Sequence, residues 1–192
     1  MSKLAVSTER LDLLASTVDH LWVELDAPER LGEMLGAEVP PGWPPGLYDR
    51  DAITFFLEKL AEGGPAAEGW YGWYAIRRAT AGALSQDGAG TPSLKAALVG
   101  TIGYFGPPSA EGVVEIGYSV AASHRERGYA TEMVRAMTAR ALGIPGVTSV
   151  VAEAHEFNVA SLKVLERAGF VKVGAGRDPG HLRLQFRGAD SR

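Results

Sequence analysis

Residues 124–133 read His-Arg-Glu-Arg-Gly-Tyr-Ala-Thr-Glu-Met, which sets positive charge and backbone freedom directly before an amphipathic run. The free amides and the dipole at a helix N-terminus form an anion site. Gly128 removes a side chain where backbone must come close to a ligand. Arg125 and Arg127 add charge beside amides running from Arg127 through Tyr129 and Ala130 to Thr131. The chemistry this combination suits is a cradle for a diphosphate. The same residues also fit a plain turn glycine between solvated arginines, and a short glycine motif alone does not separate the two readings.

A cradle needs a helix packed on a sheet. From Ala130 the apolar positions Ala130, Met133, Val134, Met137 and Ala141 recur at helical spacing, with Glu132, Arg135 and Arg140 on the other side, which predicts a helix to about Leu142. The preceding "GVVEIGYSV" (112–120) reads as a strand, so the helix begins at the carboxyl end of a strand, where open α/β sheets bind ligands. Around this pair, "TERLDLLAST" reads as a first strand, and a helical pattern runs from Val18 to about Leu35 with a break at Pro28. "EVPPGWPPGLYDR", with four prolines and two glycines, reads as a rigid loop. Asp51 is the expected N-cap of a helix that stops at Gly63.

"WYGWYAIRR" (70–78) and "AALVGTIGYFG" (96–106) read as strands, joined by the small, polar "ATAGALSQDGAGTPS" as an exposed hairpin connection. After the cradle helix come a strand "TSVVAEAH", a helix "NVASLKVLERAG", and a final strand pair turning at Asp178-Pro179-Gly180. The expected architecture is one α/β domain over residues 1–192, a mixed sheet of about seven strands with helices on both faces.

The bulk properties narrow the chemistry. A chain of 192 residues with 46% hydrophobic positions buries one sizeable core. Its net charge of -4 argues against a dedicated nucleic-acid binder and leaves a smaller anionic partner for the local arginines. The absence of cysteine excludes disulfides, thiolate metal sites and a covalent cysteine intermediate. No apolar run approaches the roughly 20 residues needed to cross a bilayer, and the N-terminus lacks a signal-peptide pattern. The expectations are a cytoplasmic location, no membrane, no nucleic acid and no metal.

Arg125-Glu126-Arg127-Gly128-Tyr129-Ala130 resembles the Arg/Gln-x-x-Gly-x-Gly/Ala signature of the GNAT superfamily of acetyl-CoA-dependent N-acetyltransferases, and it follows a strand and opens a helix as that family requires. "NVASLKVLERAGF" (158–170) resembles the family's second element, Asn-x-x-Ser followed by Leu-Glu-Lys-x-Gly-Phe. "TERLDLL" and "VEIGYSV" are similar to the RimJ/RimL-like branch, which acetylates protein N-termini and assorted small amines. The resemblance implies a GNAT-like, mostly antiparallel sheet with a splay between its fourth and fifth strands, here the strands at 112–120 and 148–155. It implies that the open edge at Tyr118, Ser119 and Val120 receives the pantetheine arm of acetyl-CoA like an added strand. It assigns the diphosphate to residues Arg125 to Thr131. Asn158 would hydrogen-bond pantetheine or phosphate besides capping its helix, and Ser161 would protonate the departing thiolate or stand as an ordinary first-turn serine. GNAT-like proteins commonly dimerise, so a homodimer stands among the implied partners, beside acetyl-CoA and an amine acceptor.

Without cysteine, the implied chemistry is direct attack of an amine on the thioester in a ternary complex. An alkylamine is mostly protonated near neutral pH, so a general base or a water chain must take a proton. Glu115 shares a polar strand face with Gly117 and Ser119 and is the first candidate, with a structural carboxylate as its alternative role. His155, with Glu153 on the same strand face, is the second. His124 reads as a surface residue. An amide near Val120 would hold the developing oxyanion. Trp43, Trp70 and Trp73 either shape the acceptor pocket or pack the core. The competing reading is a non-catalytic acyl-CoA-binding regulatory protein. A nucleotide-binding module is disfavoured, since the Gly-x-x-x-x-Gly-Lys-Ser/Thr loop and the dinucleotide glycine pattern are missing.

Overall fold

The structure, a computed structural model, describes residues 4–80 and 95–187. Its strands are β1 (Ala5–Ser7), β2 (Leu11–Ala15), β3 (Gly72–Arg77), β4 (Ala97–Tyr104), β5 (Val113–Val120), β6 (Ser149–His155), β7 (Phe170–Ala175) and β8 (His181–Phe186). The helices are α1 (Val18–Asp26), α2 (Leu31–Leu35), α3 (Arg50–Gly63), α4 (Tyr129–Leu142) and α5 (Val159–Arg167). One mixed sheet runs β1-β2-β3-β4-β5-β6-β8-β7 and is antiparallel except where β5 meets β6. The class is the expected one, with one strand more than about seven. The extra strand, β1, has only three residues, too few for alternation to register, and it forms by pairing with Leu14, Leu13 and Asp12 of β2.

Alternation works where one face is buried. Leu11, Leu13 and Ala15 are fully buried while Asp12 and Leu14 are half-buried. One face of the sheet packs Trp73, Val99, Tyr104 and Ile116 against Met133, Val134 and Met137 of α4 and Leu165 of α5. The other packs Tyr74 and Leu98 against Leu21, Leu31, Ile53 and Leu57 of α1 to α3. Side chains of this size stabilise by roughly 1.5 to 3 kcal/mol each when buried.

Three local expectations are corrected. Asp49, not Asp51, caps α3, its Oδ1 accepting from the amides of Asp51 and Ala52 at 3.1 and 3.0 Å. Asp49 has the extended backbone a cap requires, and Asp51 falls in the first turn. The helix runs through Gly63 and ends at Gly64. Arg140, expected opposite the apolar stripe of α4, packs against aromatic rings of the sheet. It lies half-buried over the rings of Trp73, Tyr104 and Trp70 at 4.8, 5.7 and 5.9 Å. The expected hairpin connection at 79–93 falls, apart from its first two residues, outside the described residues.

The relationship that matters for function is where β5 and β6 part. They pair only through Val113–Ser149, Val114–Val150 and Glu115–Val151. Beyond that, β5 continues to Val120 on β4 alone, and β6 continues to His155 on β8 alone. Among the described residues, no helix is long and apolar enough to cross a membrane.

Candidate active site

A cavity of about 330 Å³ fills the gap between the diverging strands. Its walls bring together Glu115, Tyr118 and Ser119 of β5, Glu153 and His155 of β6, Asn158 and Ser161 at the start of α5, and Arg177 and His181 around the β7–β8 turn. The β5 edge facing β6 is defined by the ladder on its other side. Ala121 donates to Val99, and Phe105 donates to the carbonyl of Glu115, so the odd positions bond β4. The backbone groups of Ile116, Tyr118 and Val120 therefore point into the gap. Ser119 reaches the cavity differently, since its backbone faces β4 and its hydroxyl donates to the carbonyl of Pro45 at 2.7 Å.

The stretch expected to cradle an anion lies at the N-terminus of α4. Gly128 occupies the N-cap in the left-handed region (φ 79°), without any side chain capping the helix. Helix geometry leaves the amides of Gly128, Tyr129, Ala130 and Thr131 without intrahelical partners. Glu126 also has a positive φ of 62°, an uncommon state for a residue with a side chain, which curves the loop around Arg127. Arg125 and Arg127 fold back to donate to the carbonyls of Val120 (3.2 Å) and Ser123 (3.3 Å), tightening the loop. His124 is partly exposed, and burial, with Arg127 and Arg77 nearby, lowers its pKa.

Arg10 was not legible in the sequence as part of this end. It donates to the carbonyl of Arg127 at 2.8 Å, binds both oxygens of Glu132 and lies 4.8 Å from the centre of the Tyr129 ring. Burial pulls the Glu132 carboxyl upward, but bonds from Thr8 and Arg10 outweigh it and leave it below its usual value.

The carboxylates form a linked group. Glu115 is paired with Arg177, and Glu153 accepts from Arg183 (2.9 Å) and from the amide of Arg177 (2.9 Å). Burial raises the Glu115 pKa, the cation of Arg177 opposes that rise and the charge of Glu153 reinforces it; the net shift is upward. For Glu153, burial again pulls upward, but the Arg177 amide and the two guanidiniums prevail and its pKa is lowered. His155 accepts the amide of Phe157 on Nδ1 at 3.2 Å, which puts the proton of the neutral ring on Nε2. Its ring meets His181 edge-on at 5.1 Å. The turn at Gly180 passes so close that a Cβ there would stand 2.9 Å from His155 Nε2.

At the start of α5, the cap expected of Asn158 forms, its Oδ1 accepting the Ser161 amide at 3.1 Å. The Tyr118 hydroxyl donates to the Ser161 carbonyl at 3.1 Å, and burial pushes that hydroxyl up to about 12. Trp70 and Trp73 pack beneath α4 and do not reach the cavity; Trp43 packs among α1 and α3. No group of three or more histidine and acidic side chains suited to a metal is found among the described residues.

A sheet split at one parallel pair, with an uncapped helix N-terminus beside the split, defines an acyltransferase architecture of the GNAT kind. Residues 20–171 match the Acetyltransferase (GNAT) domain, and the chain belongs to that family. It is 28% identical over 172 residues to YjdG, an uncharacterized N-acetyltransferase of Bacillus subtilis (strain 168), across 88% of this chain and 87% of that one. Its fold is similar to that of RimL, a ribosomal L7/L12 alpha-N-protein acetyltransferase solved with coenzyme A (TM-score 0.62, 13% identity, covering 98% of this chain and 100% of that one). It is likewise similar to the aminoglycoside acetyltransferase AAC(6')-Ib with coenzyme A and kanamycin (TM-score 0.53, 18% identity, 91% and 93% covered).

Proposed function

We propose that the protein transfers the acetyl group of acetyl-CoA to a primary amine, by direct attack in a ternary complex formed in the cavity between β5 and β6. The observation that carries this reading is the cavity itself, which joins an unpaired strand edge to a carboxylate group within one wall. The free amides of α4 and the loop from Arg125 to Thr131 hold the diphosphate. The backbone of Ile116, Tyr118 and Val120 bonds the pantetheine arm as an added strand, with Asn158 beside it.

Glu115 takes the proton of the incoming amine, directly or through one water, and its raised pKa brings it nearer the operating pH, where a base is most effective. His155, the second candidate, has its one acceptor nitrogen taken by the Phe157 amide, so solvent stands behind Glu115 as the alternative acceptor. A backbone amide of the β5 edge inside the cavity steadies the oxygen as charge grows on it, since Val120 stands too far along the strand from Glu115 to serve the same reacting carbon. As the C–N bond forms and the C–S bond breaks, Ser161 gives its hydroxyl proton to the sulfur and recovers one from solvent. YjdG, RimL and the aminoglycoside enzyme support the amine acceptor as a class.

The test is CoA release from acetyl-CoA against kanamycin, spermidine, tyramine and peptides beginning with serine, alanine or methionine. Turnover with one or more of them is expected. Tight acetyl-CoA binding without any release would instead fit an acyl-CoA-binding regulator.

A further inference from the structure

Glu24 lies on α1, apart from the carboxylates of the cavity, and is only 5% exposed. Three side-chain donors from different segments converge on it. Trp43 Nε1 reaches Oε1 at 2.6 Å, and the hydroxyls of Tyr48 and Tyr74 reach Oε2 at 2.8 and 2.5 Å. A carboxyl group buried among rings loses its hydration, so an apolar residue of similar size would serve packing at least as well. What the carboxylate adds is geometry, because a fully bonded buried network admits few arrangements.

Two of the three donors, Trp43 and Tyr48, belong to the proline-rich segment and bracket its residues 44–47. Between Trp43 and Tyr48, the carbonyl of Pro45 accepts the Ser119 hydroxyl of β5. At Gly46 the backbone comes so near β5 that a Cβ would stand 2.9 Å from Ser119 Oγ. Leu47 lines the cavity while 88% exposed, so it has almost no packing of its own to hold it there. The segment is gripped from behind by Glu24 and in front by Ser119. Tyr74, the third donor, comes from β3 in the sheet and fixes Glu24 itself.

We propose that Glu24 is a positioning residue for the acceptor wall: through Trp43 and Tyr48 it fixes residues 43–48 against β5 and thereby shapes the site that selects the amine. This rests on the reading of the cavity as an acceptor site. Glu24 touches no reacting atom. Its effect is transmitted by the two aromatic side chains, and it acts on acceptor affinity while leaving acetyl-CoA, held at the other end by α4, unaffected.

The experiment compares three variants that each remove one donor and keep a ring. Trp43→Phe and Tyr48→Phe release the segment, whereas Tyr74→Phe leaves both segment bonds in place. Amide hydrogen exchange at Trp43 and Tyr48, whose amides donate to the carbonyls of Pro40 and Pro45 at 3.3 and 3.1 Å, and steady-state kinetics with the best amine of the panel above are measured for each. The first two variants are expected to speed exchange at these amides about ten-fold and raise the amine KM by a similar factor, with the acetyl-CoA KM unchanged, since each loses its hydrogen bond to the buried carboxyl group. Tyr74→Phe is expected to lower Tm and leave segment exchange and amine KM near wild type.

Glu24→Gln, which keeps an acceptor oxygen, should rescue most of what Glu24→Leu loses. Equal amine KM effects from Tyr74→Phe and Trp43→Phe, or unchanged segment exchange in Trp43→Phe and Tyr48→Phe, would overturn the proposal. If wild type turns over no amine, the acceptor reading fails, and the exchange data still decide whether Glu24 anchors the segment.

Discussion

The hydroxyl of Tyr118 donates to the carbonyl of Ser161 across 3.1 Å, tying the open edge of β5 to the first turn of α5 on the far side of the split. The gap between β5 and β6 is thus held at a set width by a side chain, where a continuous sheet would use its ladder.

Removing that tie should loosen cofactor binding. For Tyr118→Phe, losing a bond worth about 1 kcal/mol predicts acetyl-CoA binding weaker by about five-fold, read by calorimetry. Because burial pushes the hydroxyl to about 12, the shape of the pH profile through the neutral range should match wild type. An altered profile would mean that Tyr118 itself exchanges a proton during turnover.

Glu115→Gln is expected to lower kcat by roughly 100-fold, a typical general-base contribution, with acetyl-CoA affinity unchanged. The base must be ionised, so kcat/KM in wild type falls as pH drops through the raised pKa of Glu115. Arg177→Ala removes the cation that holds this pKa down, so the acid limb should move to higher pH. A limb that stays in place would transfer the base role to solvent.

Arg10 and Glu132 should matter to both stability and binding. The folded-state pKa of Glu132 is depressed, so its contribution is present above the unfolded value and is lost as pH falls through the folded one. The Tm gap between wild type and Glu132→Ala should therefore be largest near neutrality and narrow as pH falls below the usual carboxylate range. Arg10→Ala frees the carbonyl of Arg127 and should weaken acetyl-CoA binding several-fold in the same titrations.

How much of this was legible in the sequence follows from the range of each interaction. The helix start at Gly128, the Asn158 cap and the buried stripe of α4 arise from residues within a turn of each other, and spacing exposes them. The mixed sheet followed from the order of strands and helices, and its antiparallel bias and open edge came through the resemblance of two short motifs. Arg10, Arg177 and Glu24 were invisible for the opposite reason. Their partners lie at Arg127, Glu115 and Tyr74, joined to them only once the sheet has assembled. Trp70 and Trp73 were left open between pocket and core because an aromatic strand reads alike whether it faces a pocket or a helix; here they take the core role, under Arg140 of α4.

The most direct measurement is calorimetric titration of acetyl-CoA into wild type and Gly128→Glu. The left-handed N-cap disfavours any side chain by about 1 to 2 kcal/mol, and a carboxylate there would also oppose the diphosphate, so saturable heat is expected in wild type and none in the variant, with both proteins folded by circular dichroism. Equal binding by the two, or no binding by wild type, would contradict the assignment of the α4 N-terminus as the diphosphate site.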